Sequence, residues 1–376
     1  MAQGKQDTGA APGPANGQAH RYLFLCPDGR GASGGIAVLY DMVAELRNQG
    51  YDAVVLHGHR SARYPDGRSD VPIFTNYAIR REVVKRRGLR YRIGDLMNRL
   101  LDSSRGGTQV LHPEISDVIV VPEFLLAEAL AAFPRNPKVL ISQNPFSHLR
   151  SHARALRQNI NSAQGLIYSV GIADICLGIF DLLENQPVGY VPVTMWPERF
   201  PYQQEKEKLI TFMPRKRREE ASVIEAALRS RSKLRGYRLE SIHGVPHAEV
   251  AKLMAKSRIF ISLLSREALG FPAAEAMAAG CIVVGYTGLG TREYFDDTTG
   301  IPVPEGDTAA VVRAVEEAVD EYETTPGRLD EMRLRASETV NRRYSREAFL
   351  SNLIRVWKEV EMAVPAAVPD HGSSTR

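Results

Sequence analysis

Short apolar runs alternate with amphipathic helical stretches along this chain, and this alternation constrains the fold more than any other feature. Six runs lie in the first half: YLFLCP (22–27), YDAVVLHG (51–58), VPIFT (71–75), DVIVVP (117–122), KVLISQ (138–143) and GLIYSV (165–170). Four more lie in the second half: LITFMP, YRLESIHG, RIFISLL and CIVVGY. Near-continuous apolar strands separated by helices are typical of parallel sheets covered on both faces. The sequence therefore predicts an α/β fold.

A proline-rich joint, VGYVPVTMWPERFPYQQEKEK (188–208), separates the two alternating regions. A chain of 376 residues is too long for one ordinary core, so we predict two doubly wound domains that face each other. A last helical stretch is expected to pack back across the joint. The predicted boundaries are a disordered tail over 1–20, a first domain over 21–200, a second domain over 201–344, the returning helix over 345–364 and a disordered tail over 365–376.

Composition and charge exclude several classes of protein. No apolar run approaches the roughly 20 residues needed to cross a bilayer, and the N-terminal MAQGKQDTGAAPGPANGQAH lacks the apolar core of a signal peptide. The three cysteines, Cys26, Cys176 and Cys281, have no metal-ligand spacing, so we predict buried thiols in a reducing cytoplasm. The formal net charge of +4 is compatible with an anionic partner and does not require one.

One strongly basic segment, IRREVVKRRGLRYR (79–92), interrupts the alternation with seven Lys and Arg residues against one Glu. It can be a solvated helix face or an exposed loop. It can also contact anionic lipid head groups on the inner face of a membrane, or a phosphorylated acceptor. Nucleic acid is not expected as a partner, because no aromatic platform accompanies the basic residues.

The loop after the first run, GRGASG, is a literal G-x-G-x-x-G built on Gly29, Gly31 and Gly34. A dinucleotide site of this kind also needs an acidic residue at the far end of the second strand to hold the ribose. Here that strand ends at His57, and Asp52 lies at its other end. The fingerprint is therefore incomplete, and it disfavours an NAD-dependent oxidoreductase.

Two other interpretations of the same loop remain. The backbone amides at Gly34 and Gly35, at the start of a helix, can approach a sugar or a diphosphate that enters from the facing domain. Alternatively, the glycines form a tight turn only.

The stretch REALGFPAAEAMAAG (266–280) carries two carboxylates in apolar surroundings. It follows the strand RIFISLL, so the loop from Ser265 to Phe271 lies at the carboxyl edge of the sheet, where ligands bind in open α/β folds. Pro272 suits the first turn of a helix, which places Glu275 in that turn and Glu267 in the loop. Carboxylates accept hydrogen bonds from paired sugar hydroxyls, and the helix N-terminus can receive a diphosphate. Together these groups predict a nucleotide-sugar site; two solvated carboxylates are the alternative.

The pattern S-x-E-x-x-G-F-P-x-x-E-A-M-A-x-G resembles the E-x7-E signature of retaining glycosyltransferases with the two-domain GT-B fold, in particular family 4. The flanking stretches IHGVPHAEVAKLMAKSRIFISLLS and CIVVGYTGLGTREYF resemble the same family, the latter through Gly288, Gly290 and Glu293. The resemblance is specific over about 205–300. Over the N-terminal half it is only topological, apart from the glycine loop.

The resemblance implies a GT-B fold with two Rossmann-like domains, the first for the acceptor and the second for the donor. It implies that Glu275 holds the ribose of the donor and that Glu267 contacts the donor sugar. The amides around Gly270 and Phe271 would cradle the diphosphate, and Arg215 would neutralise it as it leaves. The other donor-binding candidates are Pro272, Gly34, Gly35, Ser265 and Gly244.

The chain departs from the family in two places. The family usually has a lysine several residues after the arginine, but PRKRREEA places Glu220 five residues after Arg215, so Lys216 is the substitute candidate. The family's frequent histidine in the first domain is also missing. The loop after KVLIS offers Gln143 and Asn144, and His148 further on is not assigned to the site.

The expected chemistry needs no metal and no cofactor. There is no Asp-x-Asp motif and no Cys/His cluster in the sequence. The predicted function is therefore metal-independent transfer of a sugar from a nucleotide-diphosphate sugar. The resemblance implies retention at the anomeric carbon and, together with the basic segment, a glycan or lipid-linked acceptor in surface polysaccharide biosynthesis. The leaving phosphate would accept the acceptor's proton, and domain closure around 192–207 would exclude water. The location expected is the cytoplasm, with peripheral contact to the inner face of the membrane.

Three alternatives stay open. The same scaffold can carry a nucleotide-sugar 2-epimerase, which needs no acceptor. The glycine loop can serve an NAD-dependent oxidoreductase. A transferase that has lost its activity can act as a binding module, although Glu267, Glu275 and Arg215 are all present.

Overall fold

Two parallel sheets carry the fold in a computed structural model, which describes residues 20–28, 34–59, 70–86, 108–183, 187–195, 198–214 and 216–365. The first sheet has seven strands in the order β3-β2-β1-β4-β5-β6-β7. They are β1 Arg21–Leu25, β2 Asp52–His57, β3 Ile73–Thr75, β4 Val118–Pro122, β5 Lys138–Ser142, β6 Leu166–Gly171 and β7 Val188–Tyr190. Its helices are α1 Gly34–Asn48, α2 Tyr77–Arg86, α3 Leu126–Ala132, α4 Pro145–Arg157 and α5 Asp174–Leu182.

The second sheet has five strands in the order β12-β11-β10-β8-β9. They are β8 Glu207–Phe212, β9 Arg238–Ser241, β10 Ser257–Leu263, β11 Ile282–Tyr286 and β12 Ile301–Val303. The accompanying helices are α6 Arg218–Arg229, α7 His247–Lys256, α8 Phe271–Ala278, α9 Thr308–Thr324, α10 Gly327–Arg343 and α11 Arg346–Ala363.

The order of the strands determines where each sheet can bind a ligand. The central strands are buried along almost their whole length, as the apolar runs predict. All strands are parallel, but the direction in which successive strands are added to the sheet reverses between β1 and β4 in the first sheet and between β10 and β8 in the second. Ligands of doubly wound sheets bind beyond the carboxyl ends of the strands at such a reversal. The glycine loop follows β1 and the glutamate loop follows β10, so both lie at these reversals.

The strands predicted from apolar runs are confirmed to within one to three residues, but two strands were missed. β7 lies inside the stretch predicted as a joint, and β12 lies in a stretch without a prediction. Both are three-residue strands at or near a sheet edge and contain or adjoin glycine or proline, so they produce no apolar run. The long helices α9 and α10 were also not predicted.

The last helix packs on the first sheet, as expected. The indole ring of Trp357 in α11 is fully buried and stacks on Phe24 of β1, with ring centroids 5.5 Å apart. It also contacts the edge of Tyr22, at 5.7 Å. The hydroxyl of Tyr168 in β6 donates to Glu359. The C-terminal helix therefore completes the core of the first domain.

A buried arginine attaches the joint to the second domain. The guanidinium of Arg333, 1% exposed, donates to the carbonyl oxygens of Gln203 at 3.0 Å and Gln204 at 2.7 Å. It also donates to the carbonyl of Gly280 at 3.3 Å and lies over the ring of Tyr202. A buried guanidinium without these acceptors would lose several hydrogen bonds in a site shielded from water. Separation of the joint from the second domain would therefore cost free energy.

A buried lysine fixes the next part of the joint. Lys206 Nζ donates to the carbonyl oxygens of Met254 at 3.1 Å, Ala255 at 2.9 Å and Ala279 at 2.7 Å. These carbonyls lie at the C-terminal ends of α7 and α8, where a positive charge complements the helix dipoles. Burial lowers the pKa of Lys206, and the three acceptors compensate for the lost hydration.

The basic segment is only partly described. Its first half lies in α2, and residues 87–92 lie outside the described residues. Arg80 is buried, so not every basic residue of the segment lies on a solvated helix face. It is buried because α2 packs against α3 and Arg80 lies close to Gly58. Arg81 and Lys85 are exposed, and Lys85 pairs with Glu82 at 2.7 Å.

Two further expectations were tested by the structure. Cys26, Cys176 and Cys281 are buried free thiols, as predicted. Within the described part of the chain, no helix combines the length and the apolar character needed to span a membrane. The predicted tails fall outside the described residues, except for His20 and Pro365 at their borders.

Replacement of Trp357 by alanine tests the docking of the C-terminal helix. Trp357→Ala removes a fully buried indole, so we expect the free energy of unfolding to fall by about 3–5 kcal/mol in urea, followed by far-UV circular dichroism. Met362→Ala is the control, because Met362 lies on the same helix and is 79% exposed; its stability should change by less than about 0.5 kcal/mol. Equal stability of the two variants would contradict the packing described.

Candidate active site

The loop between β10 and α8 lies at the reversal of the second sheet and carries Glu267. At its end Gly270 has a φ of 69°, in the left-handed region that favours glycine. No side chain of the described residues caps α8 at this end. A Cβ on Gly270 would lie 2.5 Å from Thr291 Cγ2 and 2.6 Å from Leu264 Cδ1. Glycine is therefore required twice here, for conformation and for space.

The turn Gly290–Glu293 and the following Tyr294 pack against the backbone of this loop. A Cβ on Gly290 would overlap the carbonyl oxygen of Ala268, the residue after Glu267. The buried hydroxyl of Tyr294 donates to the carbonyl oxygens of Leu269 at 2.6 Å and Gly270 at 3.1 Å. The backbone of the loop from Ala268 to Gly270 is thus held in place by this one neighbouring turn.

Glu267 is paired with a lysine from the neighbouring strand end. Lys216, in the loop after β8, lies with its Nζ 2.5 Å from Glu267 Oε1. The two side chains are 44% and 25% exposed, so the pair remains accessible to a ligand. Arg215, the other cation predicted for the site, lies outside the described residues. The structure therefore brings one predicted cation to one predicted carboxylate.

Glu275 lies deeper than the sequence suggests. Helix α8 begins at Phe271, so Glu275 is its fifth residue and lies in the second turn, not in the first as expected. The reason is that the left-handed Gly270 ends the loop, so the helix begins at Phe271, one residue before the proline. Burial raises the pKa of Glu275, and a hydrogen bond from His247 with the nearby charge of Arg199 partly offsets this.

His247 is the partner that the sequence did not reveal. Its Nε2 lies 3.0 Å from Glu275 Oε1, and its ring packs edge-on against Phe200 of the joint, with centroids 5.3 Å apart. His247 begins α7, directly after the loop that contains Gly244. Gly244 is exposed, with a φ of 69°. Loop, helix and joint thus converge on Glu275.

The remaining predicted donor residues fall around the same loop. Phe271, Pro272 and Ser265 are half-buried. A Cβ on Gly34 would lie 2.8 Å from the ring of Phe271, so the N-terminus of α1 approaches the N-terminus of α8 across the two domains. Gly35 follows in the first turn of α1 and is half-buried. Gly29 and Gly31 lie outside the described residues.

The end of the second strand carries no acid. His57, the last residue of β2, is buried and its Nε2 lies 2.9 Å from the hydroxyl of Tyr40. Asp28 accepts a hydrogen bond from the backbone of Gly58 at 2.9 Å. Asp52 lies at the start of β2, 4.0 Å from Arg47. The positions of Asp52 and His57 match the sequence argument against a dinucleotide site.

Glu220 stands where the family usually has a lysine, and its carboxylate pairs with a neighbouring arginine. Glu220 accepts a hydrogen bond from Arg217 at 2.5 Å, and Arg217 also pairs with Glu305 and lies over the ring of Tyr286. The side chain of Arg217 is only 13% exposed, so it does not project into solvent. Among the described cations of this segment, Lys216 is the one that lies at the loop of Glu267.

Two other sequence features have structural positions. His148 is buried against Phe180 in the first domain, and burial lowers its pKa to about 4, so its omission from the site agrees with the structure. Glu293 accepts hydrogen bonds from Arg343 at 3.1 Å, from Tyr344 and from the backbone of Asp174 at 3.0 Å. Because Asp174 begins α5, Glu293 links the two domains.

No group of three or more His, Cys, Asp and Glu side chains among the residues described is arranged to hold a metal ion.

Replacement of Gly290 by alanine tests the support of the loop. The added Cβ would overlap a backbone oxygen, which no side-chain rotation relieves, so we expect Gly290→Ala to lower the free energy of unfolding by about 1–3 kcal/mol or more. Gly327→Ala is the control, because a Cβ there has open space at the start of α10. It should be neutral or slightly stabilising in urea. Equal stability of both variants would show that the loop moves freely away from the turn.

Comparisons with known proteins agree with this architecture. Residues 225–339 match the family model described as Glycosyl transferases group 1. An alpha-1,6-glucosyltransferase of Actinobacillus pleuropneumoniae serotype 7 (strain AP76) is 26% identical over 312 residues, which are 80% of this chain and 84% of that protein. A 2-deoxystreptamine N-acetyl-D-glucosaminyltransferase of Streptomyces fradiae is 32% identical over 111 residues, or 29% of this chain and 25% of that protein.

Solved structures show the same fold at low sequence identity. Sucrose-phosphate synthase of Thermosynechococcus elongatus has a TM-score of 0.63 at 12% identity, covering 91% of this chain and 100% of that one. The Alr3699/HepE protein of Anabaena, solved with UDP and glucose, has a TM-score of 0.59 at 13% identity, covering 90% and 99%. These comparisons lend no support to an epimerase or an oxidoreductase. The chain is a glycosyltransferase of the GT-B fold, with two facing Rossmann-like domains and a glycosyl transferases group 1 region over residues 225–339.

Proposed function

We propose that this enzyme transfers a sugar from a nucleoside-diphosphate sugar to a glycan or lipid-linked acceptor, with retention at the anomeric carbon. The observation that carries the proposal is the arrangement at the reversal of the second sheet. There Glu267 with Lys216 and Glu275 with His247 flank a helix N-terminus. Such a donor requires carboxylates that accept hydrogen bonds from its hydroxyls. It also requires a cation and a helix N-terminus that bind its diphosphate.

Relatives support the donor class. A protein of the same fold, Alr3699/HepE, was solved with UDP and glucose, and the Actinobacillus relative is named a glucosyltransferase. We extend this to a nucleoside-diphosphate hexose as the donor here. Because the proposed acceptor is a glycan or lipid-linked molecule, we propose surface polysaccharide biosynthesis in the cytoplasm as the biological setting.

Glu275 is proposed to hold the ribose. Its carboxylate is 10% exposed and already accepts one hydrogen bond from His247, so one oxygen remains for a ribose hydroxyl and the other can exchange partners. Gly244, in the loop before His247, would line the same end of the pocket. The nucleoside would then lie between the ends of β9 and β10.

The diphosphate is proposed to lie at the start of α8. The backbone amides around Gly270 and Phe271 point out of this helix end, with Ser265 and Pro272 beside them. The N-terminus of α1 at Gly34 and Gly35 approaches from the other domain, since Gly34 packs against the Phe271 ring. Two helix N-termini would therefore meet the anionic part of the donor from two sides.

Charge on the leaving diphosphate is proposed to be neutralised by protein cations without a metal ion. Lys216 pairs with Glu267 in the ligand-free protein, and an incoming phosphate with two charges would compete for its ammonium group. Arg215, adjacent in sequence, is proposed as the second cation. No cofactor is needed for this chemistry.

Glu267 is proposed to contact the donor sugar once Lys216 turns to the diphosphate. The released carboxylate can then accept hydrogen bonds from sugar hydroxyls near the reacting carbon. In this scheme the bond from the anomeric carbon to the phosphate oxygen breaks as the acceptor oxygen attacks from the same face. The leaving phosphate accepts the acceptor's proton, so no protein base is required.

Contact with an anionic membrane through the basic segment 79–92 is a further part of the proposal. Of its described residues, Arg81 and Lys85 are exposed and Arg80 is buried, so the contact would rest on the former. Such a contact would bring the enzyme to a lipid-linked acceptor.

Replacement of Glu275 by glutamine tests the donor site. An amide offers one acceptor oxygen and no charge, so we expect Glu275→Gln to weaken nucleoside-diphosphate binding about 10- to 100-fold by calorimetry. The nucleotide is first selected from UDP, GDP, dTDP and ADP by thermal stabilisation. Glu249→Gln is the control, because Glu249 is 46% exposed and pairs with Lys252 on α7.

Unchanged affinity in Glu275→Gln would remove the ribose role. The same titrations in EDTA and in magnesium test metal independence. Binding and transfer that require magnesium would refute the proposal that protein cations suffice.

Charge reversal in α2 tests the membrane contact. We expect the double variant Arg81→Glu, Lys85→Glu to lose co-sedimentation with vesicles containing anionic lipid, and wild-type binding to fall as salt rises. Lys252→Glu with Arg335→Glu, exposed in the second domain, is the charge-matched control. Equal binding of both double variants would exclude α2 as the membrane contact.

A further inference from the structure

Asn144 lies where the first domain meets the glutamate loop of the second. It follows β5 and is the N-cap residue of α4. Its Oδ1 accepts hydrogen bonds from the backbone amides of Phe146 at 3.0 Å and Ser147 at 3.1 Å. This is the ordinary capping role of asparagine, and it uses only the oxygen of the side chain.

The nitrogen of the same amide reaches the other domain. Asn144 Nδ2 donates to the carbonyl oxygen of Arg266 at 3.0 Å, across 122 residues of sequence. The orientation of the amide follows from its partners, because two backbone N–H groups require the oxygen and a carbonyl requires the nitrogen. One side chain therefore caps a helix in one domain and holds the backbone of a loop in the other.

The backbone conformation of Arg266 is one that requires stabilising contacts. Its φ of 43° is left-handed, a conformation that costs an arginine of the order of 1 kcal/mol or more. Its guanidinium lies over the ring of Phe146, in the first turn of α4, at 5.9 Å. Both cross-domain contacts act on the residue directly before Glu267.

The loop that presents Asn144 is itself anchored. Glu123, after β4, is 2% exposed, and its carboxylate accepts a hydrogen bond from the backbone of Gln143 at 3.0 Å. Burial raises the pKa of Glu123 to about 7, and hydrogen bonds from the backbone partly offset this. Asn144 is thus presented from a fixed position.

We propose that Asn144 is a positioning residue that couples closure of the two domains to the placement of Glu267. The inference deepens the proposed function and rests on it for the role of Glu267. With the domains together, the Asn144 amide and the Phe146 ring hold Arg266 in its left-handed conformation and so fix the direction of the next side chain. With the domains apart, both contacts are lost and the loop relaxes. The carboxylate is then correctly placed only when the cleft has closed over the donor.

Replacement of Asn144 by aspartate separates the two uses of the side chain. The aspartate side chain would keep the capping oxygen but lose the N–H donor and place a carboxylate opposite a carbonyl, so Asn144→Asp should leave the melting temperature nearly unchanged. We expect kcat to fall about 10-fold or more, because misplacement of a site group by about 1 Å can cost this much or more. The KM for the donor should change little, since Glu275 and α8 are untouched. Asn144→Ser is the neutral variant that also retains a capping oxygen.

Asn161→Asp is the matched control. Asn161 lies in the same domain and its Oδ1 accepts a hydrogen bond from the backbone of Ala163 at 3.0 Å. Asn161→Asp makes the same change of charge away from the cleft. The kcat and the hydrogen exchange of the loop 264–270 should therefore be the same as in the wild type.

A second measurement decides the inference without sugar transfer. In hydrogen–deuterium exchange of the full chain, we expect peptides that cover 264–270 to exchange several-fold faster in Asn144→Asp and Asn144→Ser than in the wild type and Asn161→Asp. Unchanged exchange of this loop, or an unchanged kcat in both variants of Asn144, would overturn the inference. If the wild type binds no nucleoside diphosphate, the proposed function fails, and the exchange result still decides whether Asn144 holds the loop.

Discussion

The close contact between the turn at Gly290–Glu293 and the loop that carries Glu267 is the constraint on which the site depends. Gly290 and Gly270 leave no room for side chains, and Tyr294 holds two carbonyl groups of the loop. The start of α8 is therefore fixed, and with it the separation of Glu267 from Glu275. The same turn ends in Glu293, which contacts the first domain through Asp174. The loop that carries Glu267 and the contact between the domains thus share one support.

Much of the fold could be predicted from the sequence, because strands of a doubly wound sheet are buried on both faces and show continuous apolar runs. The same property explains the omissions. β7 and β12 are short strands at or near the sheet edges, with too few apolar residues to give a run. Glu275 was predicted in the first turn of α8 and lies at the start of the second, because the proline indicates the start of a helix only to within a residue and Gly270 sets the start at Phe271.

The partners of the site residues could not be predicted, because they depend on contacts between distant parts of the chain. His247 meets Glu275, and Asn144 meets Arg266, with no local pattern to indicate either pair. The burial of Arg80 within the basic segment could not be predicted for the same reason, since it follows from the packing of α2 on α3. Lys216 was identified as a candidate from its neighbours in sequence, but only the direction of its side chain shows that it reaches Glu267.

The chain passes between the domains twice, and the two passages touch where the backbone of Met195 donates to the carbonyl of Tyr344 at 2.8 Å. Lys206 and Arg333 bind the joint to the second domain, while Trp357 belongs to the core of the first. The second domain is therefore one uninterrupted insert within the first domain. Exchange between related enzymes can replace it as a single block with two neighbouring junctions. The first domain, in contrast, is assembled from the segments before and after the second domain, so both segments would have to be exchanged together.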